Sequence, residues 1–177
     1  MDCFEDTVVD IQSPLHIYPG SKIIGETLIK SFGMMYGLPY TIFRYSIAYG
    51  PYGHLDNVIH QFISNAIHNK PLVVYGNGKL GRDVLYIEDH AKGNVSAGLC
   101  SNAKNQTINL GGKYISLYDL AVTVKDIVDS QSEIRIVSHQ RVGDYMGKHI
   151  DSAKAKALIE WEPTVCLTEG IERCYKW

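Results

Sequence analysis

Helix-type and strand-type segments alternate along most of the 177 residues, and this alternation most strongly constrains the fold. Residues 18–36 carry apolar side chains three or four positions apart, which predicts a helix that Gly37 and Pro39 end. The β-branched and aromatic run 40–45 predicts the next strand. Further strands are predicted at 71–75, 84–87, 107–110 and 134–137, and further helices after Asp56 or Asn57, from Glu88 to Ala97, from the Ser116 capping box to Val128, and from Asp151 to Ile159. This order predicts an α/β protein with parallel strand pairing in its first part.

The composition excludes several classes of protein. The chain is 45% hydrophobic and 20% charged, which is typical of a globular protein and too apolar for disorder. No apolar run approaches the roughly 20 residues of a membrane helix, and a net charge of −2 without a basic stripe disfavours nucleic-acid binding. The acidic first residues are unlike a secretory signal, and the four cysteines form neither a C-x-x-C pair nor a zinc-type spacing. We therefore expect a cytoplasmic protein without a metal site, a nucleic-acid partner or a membrane partner.

Tyr18 and Lys22 form a Y-x-x-x-K pair, which places both side chains on one face of the predicted helix. A tyrosine phenol ordinarily has a pKa of about 10, and a neighbouring ammonium or a cationic nicotinamide favours the phenolate. The pair therefore indicates acid–base chemistry. A second Y-x-x-x-K joins Tyr75 to Lys79 in a glycine loop, where no helix can align the two groups. One of the two matches must be accidental, and the pattern alone does not decide which.

The glycine loop itself, Gly76-x-Gly78-x-x-Gly81, fits the spacing of a dinucleotide-binding fingerprint. That fingerprint requires a helix after its last glycine, so that a phosphate meets the helix N-terminus. Here the predicted strand 84–87 follows instead. We therefore expect a mobile loop that faces the substrate, with Arg82 as a phosphate ligand.

Taken together, these motifs resemble the NAD-dependent epimerase/dehydratase family of the extended short-chain dehydrogenase/reductase superfamily. The resemblance covers residues 14–177, and its six segments occur in the family's order. They are Tyr18-Pro-Gly-Ser-Lys22 with Glu26, the strand 39–45 with Tyr49-Gly50-Pro51, the run from Gly76 through Arg82-Asp83 to Tyr86-Ile87-Glu88-Asp89, Asn109–Gly112 with Ile115-Ser116, Arg141-Val-Gly143-Asp144, and Asp151 with its Lys-Ala repeat and Trp161-Glu-Pro163.

The resemblance implies a role for each matched residue. Tyr18 would be the general acid/base, and Lys22 would hold the nicotinamide ribose. Tyr45 would lie beside the cofactor, which is NAD or NADP. Arg82, Arg141 and Asp144 would hold the diphosphate and ribose of a nucleotide-sugar substrate.

The chain also departs from the family pattern. The signature asparagine falls at Ile47, which cannot hydrogen-bond a substrate, and the glycine before the closing tryptophan falls at Glu160. The phosphate-binding turn G-x-x-G-x-x-G is absent, and the family's catalytic Ser or Thr lies further upstream of the tyrosine than the 17 residues available here. The chain thus resembles the C-terminal portion of a family member. Gene truncation, a split gene and an artificial boundary all stay open.

The expected fold is therefore a truncated Rossmann-like fold with the smaller α/β substrate-binding domain. Residues 1–56 would be the remainder of the dinucleotide-binding domain, and 57–177 the substrate-binding region, with some segments returning to the Rossmann sheet. One functional hypothesis is a fragment of an NAD(P)-dependent nucleotide-sugar epimerase or dehydratase, inactive alone and binding cofactor weakly or not at all. The alternative is a non-catalytic remnant that binds nucleotide-sugar or associates with full-length relatives. The partner would be a second copy, as in a dimer, or a complementing N-terminal half.

Overall fold

The computed structural model describes residues 2–7, 17–138 and 147–177 of the chain. In these ranges helices and strands are interspersed, as the sequence predicts, but they do not strictly alternate, because three pairs of strands and one pair of α-helices are consecutive. The order is α1 (Ile17–Tyr36), β1 (Thr41–Tyr45), β2 (Ile47–Tyr49), α2 (Val58–Ile67), β3 (Leu72–Tyr75), β4 (Gly81–Tyr86), α3 (Ile87–Leu99), a 3₁₀ turn (Ser101–Ala103), β5 (Gln106–Leu110), β6 (Lys113–Ser116), α4 (Leu117–Val128), β7 (Ile134–Val137), α5 (Ala153–Ile159) and α6 (Leu167–Lys176).

The strands form three small sheets in which parallel pairing dominates. β1 pairs in parallel with β5, β2 with β4, and β3 with β7. The exception is β6, which pairs antiparallel with β4 and gives a three-stranded sheet in the order β2-β4-β6. Parallel pairing is therefore not confined to the first part of the chain, because the parallel partner of β3 is β7, which begins at Ile134.

Two apolar clusters hold these elements together. The first core cluster lies among α2, α4, α6 and the strands β3 and β4, with Phe62, Leu72, Leu120 and Ile171 fully buried. The second core cluster joins α3, β5 and α5, and Trp161 closes it with an indole N–H that donates to the Asp89 carbonyl at 2.9 Å. Both clusters are built from side chains far apart in sequence, so they determine how the sheets pack.

Helix α1 differs from the other long helices because none of its twenty residues is buried. The apolar positions that predicted it are largely exposed, from 52% at Phe32 and 54% at Leu28 to 72% at Met35. Its end follows the prediction, since Gly37 takes a φ of +66° after the last helical residue. Helix α1 is thus a regular helix whose apolar face contributes nothing to either core cluster.

Three details of the predicted caps can be compared with the structure. Asn57 caps α2 through its side chain, and Ser116 caps α4, as predicted. The prediction that Asp151 caps the last helix was wrong in two respects. Ser152 occupies the cap position of α5, while Asp151 Oδ1 accepts the Ala153 N–H at 3.0 Å, and α6 follows as a further helix. Glu160, at the position where the family has glycine, takes the left-handed conformation with φ +51°.

Within the described ranges, no helix combines the length and the apolar character that crossing a bilayer demands.

Candidate active site

Tyr18 and Lys22 lie one helical turn apart at the start of α1. The Lys22 Nζ is 5.0 Å from the centre of the Tyr18 ring, so the two side chains share a face of the helix. Tyr18 is 64% exposed. The Tyr18 phenol is thus accessible, with the Lys22 ammonium over its ring.

The second Y-x-x-x-K has a different geometry. Tyr75 is the last residue of β3, and Lys79 lies in the turn that follows. Gly76 and Gly78 both take φ near +78°, a conformation that favours glycine. The loop leads into strand β4 rather than a helix, which confirms the strand predicted after the last glycine.

Helix α1 is tied to strand β1 by a two-pronged ion pair. The Arg44 Nε and Nη2 atoms donate to the two carboxylate oxygens of Glu26 at 2.7 and 2.9 Å. These hydrogen bonds hold the pKa of Glu26 below its usual value, and they raise the pKa of Arg44. The Arg44 Nη1 atom also donates to the Glu5 carbonyl at 3.0 Å. The pair therefore connects the helix that carries Tyr18 and Lys22 to the strand that ends at Tyr45.

Tyr45, predicted to lie beside a cofactor, is held by contacts with α3. Its ring stacks on His90 with a centroid separation of 4.0 Å, and its hydroxyl donates to Asn94 Oδ1 at 2.6 Å. Burial raises the pKa of Tyr45 and lowers that of His90. The tyrosine is therefore a neutral, ordered group at the carboxyl end of β1, the edge at which open α/β sheets bind ligands.

A cavity of about 280 Å³ lies next to this strand end. Its lining brings together Tyr45, Ser46, Arg82, Asp83 and Lys148. Arg82 Nη1 donates to the Gly81 carbonyl at 2.8 Å. Two residues predicted separately from the sequence, Tyr45 and Arg82, thus line the same cavity.

Asp83 in this cavity wall is a buried connector. Its Oδ1 accepts the Gly112 N–H at 2.6 Å, and its Oδ2 accepts the Ile150 N–H at 3.0 Å. His149 Nδ1 also lies 3.0 Å from Asp83 Oδ2. Glycine is needed at position 112, because an added Cβ would collide with the Val84 carbonyl. The adjacent residues Arg82 and Asp83 therefore differ in role. Arg82 places a cation in the cavity wall, and the Asp83 carboxylate holds the backbone at Gly112 and Ile150.

Arg141 and Asp144, the other two predicted substrate ligands, lie outside the described residues. Within the described ranges, His, Cys, Asp and Glu side chains do not gather in groups of three or more that could hold a metal ion. Neither Ser46 nor Lys148 was predicted as a site residue, because Ser46 occupies an unspecified position within the signature around Ile47 and Lys148 belongs to no motif.

Comparison with known proteins identifies the family. A sequence model described as the NAD dependent epimerase/dehydratase family matches residues 4–111, which is more than half of the chain. The chain therefore belongs to this family. The architecture above agrees, since it corresponds to the Rossmann-like fold of extended short-chain dehydrogenases that the motifs implied.

Individual relatives are similar over almost all of this chain but over only part of their own length. A putative UDP-glucose 4-epimerase of Methanocaldococcus jannaschii is 36% identical over 170 residues, 93% of this chain and 54% of that protein. A UDP-glucuronate 4-epimerase of Thermodesulfobacterium geofontis is 31% identical, over 98% of this chain and 53% of that protein. The chain thus spans about half the length of the curated relatives it matches.

Solved structures give the same picture. The UDP-glucuronic acid 4-epimerase from Bacillus cereus, determined in complex with NAD, superposes with a TM-score of 0.87 at 29% identity. The superposition covers 99% of this chain and 54% of the Bacillus cereus enzyme. Pal from Bacillus thuringiensis superposes with a TM-score of 0.84 at 34% identity, covering 93% of this chain and 53% of Pal.

Proposed function

We propose that this chain supplies the proton-transfer and substrate-binding part of an NAD(P)-dependent nucleotide-sugar epimerase or dehydratase. The observation that carries the proposal is the Tyr18–Lys22 pair on one face of α1, with the Lys22 Nζ 5.0 Å from the Tyr18 ring centre. The Glu26–Arg44 ion pair supports it further, since it connects this helix to the strand end beside the cavity.

In the proposed reaction, the Tyr18 phenolate accepts the proton of a sugar hydroxyl and later returns it. The Lys22 ammonium stabilises the phenolate by its charge and donates to ribose hydroxyls. Tyr18, Lys22 and Tyr45 fit a nicotinamide cofactor, because α1 carries two exposed polar groups and an aromatic ring stacked on His90 lies at the carboxyl end of β1. When bound, such a cofactor supplies reversible hydride transfer at the sugar carbon.

For the substrate, we propose that Arg82, together with Arg141 and Asp144, binds the nucleotide diphosphate and its ribose. Arg82 lines the cavity beside β1, and a guanidinium can bind phosphate with two parallel hydrogen bonds. Arg82→Lys keeps the charge and loses that fork. We therefore expect the rise in melting temperature caused by UDP-glucose or dTDP-glucose to shrink markedly in this variant. An unchanged rise would count against the assignment.

We also propose a division of the chain into residues 1–56, the remainder of a dinucleotide-binding domain, and 57–177, the substrate-binding region. Strand β5 supports a return of the second region to the first. It pairs along its whole length with β1, opposing Phe43 to Ile108.

Catalysis can be tested by complementation. UDP-glucose epimerisation is measured for the chain alone and after addition of the N-terminal half of the Methanocaldococcus jannaschii relative, with NAD present. We expect turnover only in the mixture, and a loss of about 10²–10⁴-fold for Tyr18→Phe, which is the usual contribution of a general acid/base. Tyr75→Phe is the matched control, because it removes the phenol of the second Y-x-x-x-K. Equal activity of the two variants would contradict the role of Tyr18.

The alternative, a non-catalytic chain that binds nucleotide-sugar or associates with full-length relatives, is favoured by one observation. Helix α1 leaves Leu28, Phe32 and Met35 more than half exposed, as expected of a surface that another chain covers. A mixture that binds UDP-glucose and co-elutes with the relative, yet never turns over, would support this alternative.

A further inference from the structure

Ser46 lies in the one-residue break between β1 and β2 and is only 6% exposed. Its backbone N–H donates to the Leu110 carbonyl at 3.1 Å. Its hydroxyl, by contrast, is shielded from solvent and has no hydrogen-bond partner within the described part of the chain. A buried polar group without a partner is destabilising, and such groups are rare in folded proteins. The hydroxyl therefore calls for a functional explanation.

The surroundings of Ser46 indicate what could meet this hydroxyl. Ser46 lines the cavity of about 280 Å³, whose rim also carries Arg82 and Lys148. Among the described lining residues the one carboxylate is Asp83, which is 5% exposed and already accepts hydrogen bonds from the backbone at Gly112 and Ile150. Two cations and a buried, engaged carboxylate favour an anionic ligand in this cavity. The direction of the Ser46 hydroxyl depends on a single side-chain torsion.

The next residue explains why a hydroxyl matters at this place. The family signature that the chain resembles has asparagine at position 47, and here that position is Ile47. Ile47 lines the cavity and packs against the first core cluster, but an isoleucine side chain has no polar atom to offer a ligand. Ser46, one position earlier, is the polar side chain of the strand break that also lines the cavity.

We propose that the Ser46 hydroxyl binds a phosphate oxygen of the nucleotide diphosphate and thereby replaces the amide that Ile47 lacks. This inference rests on the function proposed above. It adds a specificity residue at a position that the family signature leaves unspecified. It also accounts for the buried hydroxyl, because a bound ligand removes the penalty of leaving it without a partner.

The test compares two buried serines. UDP affinity is measured by calorimetry, and ligand-free melting temperature by calorimetric scanning, for the unsubstituted chain, Ser46→Ala, Ser46→Thr and Ser130→Ala. The Ser130 Oγ donates to the Ala66 carbonyl at 2.7 Å and lies 2.9 Å from Ser132 Oγ, so Ser130→Ala removes internal hydrogen bonds away from the cavity.

We expect Ser46→Ala to bind UDP about ten-fold or more weakly, as for a lost hydrogen bond to a charged group, with an unchanged or higher melting temperature. Ser46→Thr, which keeps the hydroxyl, should retain affinity. Ser130→Ala should lower the melting temperature and leave UDP affinity unchanged.

Ligand-observed NMR then repeats the binding comparison with uridine, which lacks the phosphates. Uridine binding should be undetectable or equal in the unsubstituted chain and Ser46→Ala, and an equal loss for uridine and UDP would overturn the phosphate contact. Two results overturn the role of Ser46: unchanged UDP affinity in Ser46→Ala, or a ligand-free melting temperature lowered by several degrees. If the unsubstituted chain itself fails to bind UDP, both this inference and the proposed function are refuted. The two results above, by contrast, refute only the role of Ser46.

Discussion

Replacing the buried carboxylate of Asp89 should destabilise the chain strongly, although the residue touches no part of the candidate site. Asp89 is 0% exposed in the first turn of α3. Its Oδ2 accepts the backbone N–H groups of Thr164 and Val165 at 2.9 and 2.8 Å, and its Oδ1 accepts the Thr164 hydroxyl at 2.6 Å. Lys92 Nζ lies 3.3 Å from Oδ1. The carboxylate thus fastens α3 to the segment between α5 and α6.

The magnitude follows from these contacts. Asp89→Ala removes charge-assisted hydrogen bonds worth about 1.5–3 kcal/mol and leaves two backbone N–H groups without their acceptor, at about 1–3 kcal/mol each when buried. Thr164 is itself exposed, so water can satisfy part of what is lost. We therefore expect a loss of about 3 kcal/mol in the free energy of unfolding.

Urea unfolding at pH 7 measures this loss. With a slope of about 2 kcal/mol per molar urea, the midpoint should fall by about 1.5 M. Glu88→Ala is the matched control, because this neighbouring carboxylate is exposed and its hydrogen bond to Arg173, at 3.0 Å, is a surface ion pair worth at most about 1 kcal/mol. Equal midpoint shifts for the two variants would refute the argument.

The pH dependence provides a second check on Asp89. Burial acts to raise its pKa, but the hydrogen bonds from Thr164 and Val165 outweigh burial and leave the pKa lowered. A carboxyl whose pKa is lower when folded contributes stability above its unfolded pKa of about 3.9 and loses it as pH falls through the folded pKa. The difference in the free energy of unfolding between Asp89→Ala and the unsubstituted chain should therefore become smaller below about pH 4.

Three further predictions concern the cofactor, assembly and the tie between α1 and β1. Calorimetry should find NAD binding to the chain alone far weaker than micromolar, because it lacks the G-x-x-G-x-x-G turn; a micromolar Kd would contradict this. Light scattering at micromolar concentration should detect a dimer or larger species that the double substitution Leu28→Lys and Phe32→Glu reduces to a monomer, since both side chains are more than half exposed on α1. A monodisperse monomer of the unsubstituted chain would refute this assembly. Arg44→Met should cost about 1–2 kcal/mol at pH 7 through loss of the two-pronged pair. The pKa of Glu26 is lowered in the folded state, so the difference in melting temperature between Arg44→Met and the unsubstituted chain should shrink as pH falls below about 4. A difference that stays constant with pH would contradict this.

The sequence by itself determined the features that depend on neighbouring residues. The apolar spacing of α1, its end at Gly37 and the caps at Asn57 and Ser116 follow from local periodicity and local hydrogen bonding. The strand that follows the glycine loop was likewise predicted from neighbouring residues. The shared face of Tyr18 and Lys22 also follows from helical spacing alone.

Only the tertiary structure decided the features that depend on distant residues. Burial of Ile171 and Cys174 in the first core cluster helps to stabilise helix α6, which was not predicted although Leu167, Ile171 and Cys174 recur at helical spacing. The pairing of β1 with β5 and the antiparallel strand β6 likewise join segments whose partners no local pattern specifies. The buried hydroxyl of Ser46 was also invisible in the sequence, because its lack of a partner is a property of the packed surroundings. Local propensity acts within a few residues, whereas burial and hydrogen-bond satisfaction depend on the whole chain.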